Sequence, residues 1–321
     1  MTLPEKPTMT ATRLAIVGAG RHSRHHGAAA REYSEANPGR VELAAVCDLD
    51  QDKARDYAQR YGFARVCGDL REMLRRERPD AVIAVTALAD TEAIAGELLE
   101  AGVPVMIEKP PGRDSAATER LLAIAERTGT PHMISFNRRF NPAVAAARRW
   151  LAEHAAVRPP QIASGRMLRH NRREANFARD TGIHLVDAVL SFMGEPRTVA
   201  AARLALSTPQ AYSFNAHLEF AGAAVGSVLI APAAGADQET IELYGEDYYV
   251  YIDVARARCD VWDHNQQVLA AQPPAGASRY YLEGTVGETA AFVEAIETGR
   301  YWPTLRDGLV SMRTAEAVQN G

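Results

Sequence analysis

Three side chains of this protein are of types that handle protons and substrate oxygens, and two short stretches carry them. In "VPVMIEKPPGRD", residues 103–114, Lys109 follows an apolar run, with Glu108 before it and Pro110 after it. An ammonium there can donate to a hydroxyl or a carbonyl oxygen. In "FARDTGIHLVDAVLSFMG", residues 177–194, Asp180 and His184 stand four apart and share one face if the segment is already helical. Imidazole moves a hydroxyl proton near neutral pH, and a neighbouring carboxylate orients it or stabilises its charged form. Taken singly, each stretch has a plainer reading: a solvated lysine at a strand end, or a helix cap beside a satisfied histidine.

A third stretch, "LAIVGAGRHSRHHG" at residues 14–27, reads as a nucleotide turn. A strand runs into Gly18-Ala19-Gly20 and then into helix-compatible residues. Glycines there permit a tight turn and let backbone N–H groups approach a pyrophosphate at a helix N-terminus. Ser23 stands where the third glycine of the pattern usually falls, and is small enough for close helix–strand packing. Asp48, at the end of "AAVCDLD", lies where a carboxylate accepts from the adenosine ribose hydroxyls and repels a 2'-phosphate, which favours NAD over NADP. The loop "YSEANPGR" accounts for its extra distance from the glycines. Arg21 and Arg24 are candidates for a phosphate, although arginines on a first helical turn are common on surfaces.

These groups need a scaffold, and the apolar pattern describes one. "LAIV", "VELAAVCD", "AVIAVT" and "VPVMIE" read as strands separated by segments of helical period, the rhythm of parallel βαβ units. "TEAIAGELLEAG" places Ile94, Leu98 and Leu99 on one face and stops at Gly102; "SAATERLLAIAERTG" begins at an expected Ser115 cap and stops at Gly129. Beyond about residue 155 the runs lengthen into antiparallel-type strands, as in "QAYSFNAHLEFAGAAVGSVLIAP" and "QETIELYGEDYYVYIDVA", before two closing helical patterns. The expectation is an α/β protein: a dinucleotide-binding unit over residues 1–133, with 1–11 a loose tail, and a second unit over 134–321.

Composition narrows the function classes. The chain has 321 residues, 47% hydrophobic and 24% charged, with a formal net charge of -4, so nothing calls for nucleic acid or a membrane surface. "AVIAVTALA" is about half the roughly 20 residues of a membrane span. Cys47, Cys67 and Cys259 are scattered, without metal-ligand spacing, which suits a reducing cytoplasm and no metal.

The order and wording of these motifs resemble the family of glucose-fructose oxidoreductase and inositol dehydrogenase (Gfo/Idh/MocA) from about Leu14 to Val318. The likeness rests on the glycine turn ending at His26, Asp48, "EAGVPVMIEKP", "SFNRRFNPA", "DTGIHLVD" and "FVEAIETGRYWPTLRDGL". It implies an N-terminal Rossmann domain and a C-terminal α/β domain with an open, mainly antiparallel sheet that packs on partners in dimers or tetramers. It also implies Lys109, Asp180 and His184 as the catalytic set, and cofactor contacts at Gly18, Gly20, Arg21, His22, Ser23, Asp48, Thr86, Glu108 and Lys109. The implied reaction is hydride transfer between NAD and a carbon of a sugar or polyol, an acidic sugar included, with His184 as acid/base. Two alternatives stay open: a redox-cycling glycoside-cleaving enzyme, and a nucleotide-binding sensor without catalysis. There are departures. "VTALADT" has Ala87 where relatives often carry proline and Thr91 where they carry histidine. Arg113, and the arginine-rich "MLRHNRREANFARD" with His170, Asn171, Arg172 and Arg173, are candidates to meet an anionic substrate group. One of Arg138 and Arg139 is expected to be structural.

Overall fold

A computed structural model describes residues 11–321, so all but the last residue of the expected tail lies outside the described part. The first half alternates as its apolar pattern requires: β1 (Thr12–Val17), α1 (Ser23–Ala36), β2 (Val41–Cys47), α2 (Gln51–Tyr61), β3 (Arg65–Cys67), α3 (Leu70–Glu77), β4 (Ala81–Ala84), α4 (Leu88–Glu100), β5 (Val105–Glu108), α5 (Ser115–Thr128) and β6 (His132–Ser135). The six strands form a parallel sheet in the order β3-β2-β1-β4-β5-β6. The order reverses between β1 and β4, and the crevice at such a switch point is where ligands of open α/β sheets gather.

The second half opens with α6 (Pro142–His154), β7 (Ile162–Leu168) and α7 (Ile183–Met193). Seven strands follow: β8 (Thr198–Ala205), β9 (Tyr212–Glu219), β10 (Val225–Ala231), β11 (Gln238–Gly245), β12 (Tyr248–Asp253), β13 (Arg258–Asp263) and β14 (Gln266–Ala271). With β7 they make an eight-stranded sheet, antiparallel except where β7 lies parallel to β10. Helices α6 and α7 cover one face, over buried Phe214, Ala216, Leu218, Val250 and Val261. The other face carries Ile162, Leu204, Leu229 and Tyr244, all more than a third exposed, and a row of Tyr244, Tyr249 and Trp262 rings. No helix among the described residues is long and apolar enough to cross a membrane.

Three details differ from the sequence reading. Strand β3 is too short, at three residues, to show any period. Asp114, not Ser115, caps α5: its carboxylate accepts from Ala117 N at 2.7 Å, while Ser115 turns its N–H and hydroxyl to Glu316. A carboxylate accepts more strongly than a hydroxyl from the free N–H groups of a first turn. The expected division after residue 133 falls inside β6, and α8 (Arg279–Leu282), α9 (Thr285–Thr298) and α10 (Leu305–Asn320) return to the first unit. Phe292 and Val293 of α9 join the core with Leu14, Ile16 and Ile83, and α10 packs on α5.

One polar group is carried into that core. Glu288 on α9 has no exposed surface; its Oε2 accepts from the Ser135 hydroxyl of β6 at 2.9 Å and its Oε1 has no partner. Burial, and after it the charge of Glu108, push this carboxyl well above its ordinary 4.5. Above pH 4.5 the unfolded chain therefore releases a proton that the folded chain keeps, and stability falls as pH rises toward the folded value. Glu288→Gln keeps the shape and removes the titration. Urea unfolding should find the variant equal to the parent near pH 4 and more stable by about 1 kcal/mol or more at pH 7. A gap that stays constant with pH would mean that Glu288 ionises normally in the folded protein.

Candidate functional site

The glycine turn forms the floor of a cleft of about 780 Å³ at the switch point. Gly18 adopts φ +99°, and a Cβ placed on it would sit 2.0 Å from the carbonyl oxygen of Val85, just beyond β4. Only glycine lets the end of β1 lie this close to the end of β4. A Cβ on Gly20 would meet nothing within 4 Å, so this side of the turn is open to a ligand. Asp50, Asp69 and Asp114 cap α2, α3 and α5, but α1 has neither a side-chain cap nor an acidic residue in its first turn. Its first N–H groups, with the helix dipole behind them, remain available to an anion.

Arg21, His22, Ser23, Asp48 and Thr86 line the same cleft, and Arg24 stands outside that lining. Ser23 is fully buried and hydrogen bonds to the Tyr57 hydroxyl at 3.0 Å, which explains why a small residue stands in the third glycine position. Asp48 has a second task that the spacing of motifs did not reveal. Its two oxygens accept from Ala19 N at 2.7 Å and from Asp50 N at 2.9 Å, pinning the end of β2 to the glycine turn. A carboxylate has about four acceptor sites, so two such bonds leave capacity for ribose hydroxyls. Around it lie Asp69, Glu97 and the exposed side chain of Leu49, with Arg71 held by Glu97 at 2.7 Å. Asp69 and Arg71 come from the start of α3 and Glu97 from α4, helices whose periodicity gives no sign of a ligand. The open turn, the uncapped helix and the acidic far end together fit a dinucleotide.

Beyond His22, and outside the lining of this cleft, Glu108 and Lys109 leave β5. Glu108 accepts from or shares a proton with His26 Nε2 at 2.7 Å, and His22 Nε2 lies 4.0 Å away. Burial alone would raise the Glu108 carboxyl, but the hydrogen bond and charge of His26, helped by Lys109, bring it to about 2. Lys109 is 9% exposed and its Nζ donates to the backbone carbonyl of Asp180 at 3.1 Å. Burial lowers the lysine below its ordinary value, with the Glu108 charge opposing.

Asp180 does not stand in helical register with His184. Residues 178–182 form a π-turn, which passes to α7 at Ile183 and breaks the four-residue spacing. The Asp180 carboxylate accepts from Arg179 Nε at 2.7 Å, and no hydrogen bond joins it to His184 among the described residues. The structure thus brings Lys109 to the Asp180 backbone rather than Asp180 to the imidazole. His184 Nδ1 is buried without a partner. Burial, with the charges of Lys109, Arg138 and Arg169, holds this imidazole well below 6.5, so it is neutral at pH 7.

The arginines sort themselves. Arg139 is the structural one, buried on Asp187 through two bonds of 2.8 Å. Arg138 and Arg169 converge on buried Glu239 of β11, a residue the sequence reading missed. Arg172 pairs with Glu174, and Arg113 with Asp114 at 3.7 Å. Thr91, at the position of a departure, is buried and bonds to the Ala87 carbonyl and the Thr86 hydroxyl, closing the first turn of α4 on itself.

Comparisons with known proteins agree with this geometry. Residues 12–136 match the model of an oxidoreductase family with an NAD-binding Rossmann fold. The chain is similar to D-apiose dehydrogenase of Paraburkholderia graminis, 30% identical over 198 residues that cover 59% of this chain and 51% of that protein, so it spans about half of that relative's length. It is 25% identical to the inositol 2-dehydrogenase of Rhizobium meliloti over 331 residues, covering 95% of each. Among solved structures, levoglucosan dehydrogenase in complex with NADH superposes with a TM-score of 0.84 at 21% identity, covering 96% of each chain, a likeness of fold. The glycine turn, the switch-point cleft and the matched residues lead to one assignment: residues 12–136 form an NAD-binding Rossmann domain of the kind found in the Gfo/Idh/MocA oxidoreductases, proteins to which the chain is similar.

Proposed function

We propose that this protein is an NAD-dependent dehydrogenase or reductase of a sugar or polyol, with Lys109 and His184 at the reacting oxygen. The observation that carries the reading is the bond from Lys109 Nζ to the Asp180 carbonyl, which holds the end of β5 against the turn that leads into His184. When bound, the nicotinamide supplies the hydride acceptor or donor. Gly18, Gly20, Arg21, His22 and Ser23 would hold the pyrophosphate, Asp48 the adenosine ribose, and Thr86, Glu108 and Lys109 the nicotinamide end.

The chain's own groups divide the remaining work. His184, neutral and poorly solvated, is in the right state to take the proton of a substrate hydroxyl, and Lys109 stabilises the negative charge that develops on that oxygen. Asp180 acts by position: its carbonyl aims Lys109 while its carboxylate holds Arg179. Arg138, Arg169 and Arg172, whose charges reach Lys109 or His184, and Arg179 each already hold a carboxylate, so a neutral sugar or polyol suits the site better than an acidic one. Inositol, apiose and levoglucosan, for which the relatives are named, are the first compounds to try. The bare face of the second sheet is where a homodimer or homotetramer would form, because its exposed leucines and aromatic row gain most from burial.

Lys109→Ala and His184→Ala should each lower kcat by ~10²–10⁴ while NADH affinity, read by fluorescence titration, holds. Near-parental turnover in either variant would remove that residue from the reaction. Because burial keeps His184 neutral, the acid limb of the oxidation rate should lie below pH 6.5.

The cofactor reading is tested separately. NAD(H) should bind more tightly than NADP(H), since Asp48, Asp69 and Glu97 face the place a 2'-phosphate would take. Tighter NADP(H) binding would mean that Arg21 or Arg71 governs the adenosine end. Oxidation of a polyol should accumulate NADH stoichiometrically; release of an aglycone from a glycoside with catalytic NAD and no net NADH would establish the redox-cycling reaction in its place.

A further inference from the structure

Away from the nucleotide cleft, the half-buried cation Arg148 has no carboxylate among the described residues. Arg148, in the middle of α6, lays its guanidinium between the rings of Trp302, 4.7 Å to the centroid, and Phe192, 5.1 Å. Nη1 and Nη2 donate to the carbonyl and hydroxyl of Ser191 at 3.2 and 3.0 Å, and the buried Nε finds no acceptor. Its neighbour Arg139 lies 4.6 Å from the same Trp302 ring, but Arg139 is engaged by Asp187 and Asp307. Arg138, Arg139 and Arg169 show what the fold does elsewhere with a buried guanidinium: it supplies an acid. Burial and the nearby Arg139 charge lower Arg148 only to about 10, so it remains a cation at neutral pH.

A cleft of about 520 Å³ opens on this cation. Arg139, Arg148 and Arg149 line it, with Phe140, Trp302 and Ala145 as apolar walls, and no carboxylate takes part. Asp307 and Glu195 belong instead to an adjoining cleft of about 360 Å³. The arginine cleft shares no residue with the nucleotide cleft. We propose that it binds a small organic anion, a carboxylate or phosphate attached to a flat apolar body, with Arg148 and Arg149 meeting the charge and Phe140 and Trp302 meeting the body. Guanidinium groups match both anions by paired N–H donors, and the apolar walls favour an anion with a hydrocarbon part over a bare inorganic one. Occupancy would brace Trp302 and the corner at residues 137–141, whose Arg138 holds Glu239 beside the catalytic groups. The cleft is thus placed to tune the site without touching the cofactor.

The test uses the whole protein, with benzoate and phenyl phosphate as probes and chloride and inorganic phosphate as controls at equal ionic strength. Calorimetry and thermal unfolding should show saturable binding and a rise in Tm for at least one aromatic probe, above both controls. Arg148→Gln should abolish it. Because that change also disturbs stacking on Trp302, Arg149→Glu is the second variant: exposed, outside the core, it should weaken binding about tenfold or more by placing a like charge at the mouth. NADH affinity should be unchanged in both. Tm shifts no larger than those of chloride, or equal binding in Arg149→Glu, would overturn the proposal. So would an anion-independent oligomer that Arg149→Glu dissociates, since the cleft would then be covered by a second copy.

Discussion

A buried ammonium is the constraint around which this molecule is arranged. Lys109 sits at the end of a strand that is itself inside the protein, where taking a charge out of water costs several kcal/mol unless acceptors replace the solvent. Two are provided. The Glu108 carboxylate lies next to it in the chain, kept ionised by His26 of α1, and the Asp180 carbonyl comes from the π-turn ahead of α7. Meeting the needs of one side chain therefore ties the glycine-turn helix, the fifth strand and the second unit together at a single point. The same arrangement leaves His184 among positive charges and poorly solvated, which is why it is neutral. The electrostatics around His184 follow from holding Lys109 in place.

The joint between the two sheets obeys the same logic on a larger scale. Arg139, from the corner after β6, reaches Asp187 of α7 and Asp307 of α10, and Ser311 adds a bond to the same Asp187 at 2.8 Å. Arg138, the adjacent residue, turns to Glu239 of β11. Removing one partner of such a buried pair leaves an uncompensated charge, so these pairs act less as a source of net stability than as a specification of how the parts must meet. Helices α9 and α10 complete the joint: α9 packs on α1, and α10 lies against α5 on one side and β8 and α7 on the other.

Much of this was legible in the sequence. Strand and helix rhythm follow from apolar period, because a parallel strand buried on both faces must be apolar throughout and a covering helix must be apolar on one stripe. The glycine turn was legible for a steric reason: the φ of Gly18 and its contact with Val85 admit no side chain. Asp48 at a strand end, Lys109 after another and His184 on a helix are weak signals taken singly, and it is the family likeness that joins them into one expected set.

What the sequence by itself determined is what depends on near neighbours: element type, the turn that needs glycine, and which residues are chemically able to act. Tertiary structure decided the rest, because a side chain's partner is set by which distant segments pack together. Only the fold showed that Asp180 offers its carbonyl to Lys109 and its carboxylate to Arg179, since a π-turn, invisible in residue types, shifts it out of register with His184. Only the fold separated Arg138 from Arg139, neighbours in sequence that point to different acids 52 residues apart along the chain, Glu239 and Asp187. Burial, finally, is a property of the assembled molecule: it raises the Glu288 carboxyl well above its ordinary value, lowers the His184 imidazole and leaves Arg148 without an acid among the described residues, and none of these states can be read from the identity of the residue alone.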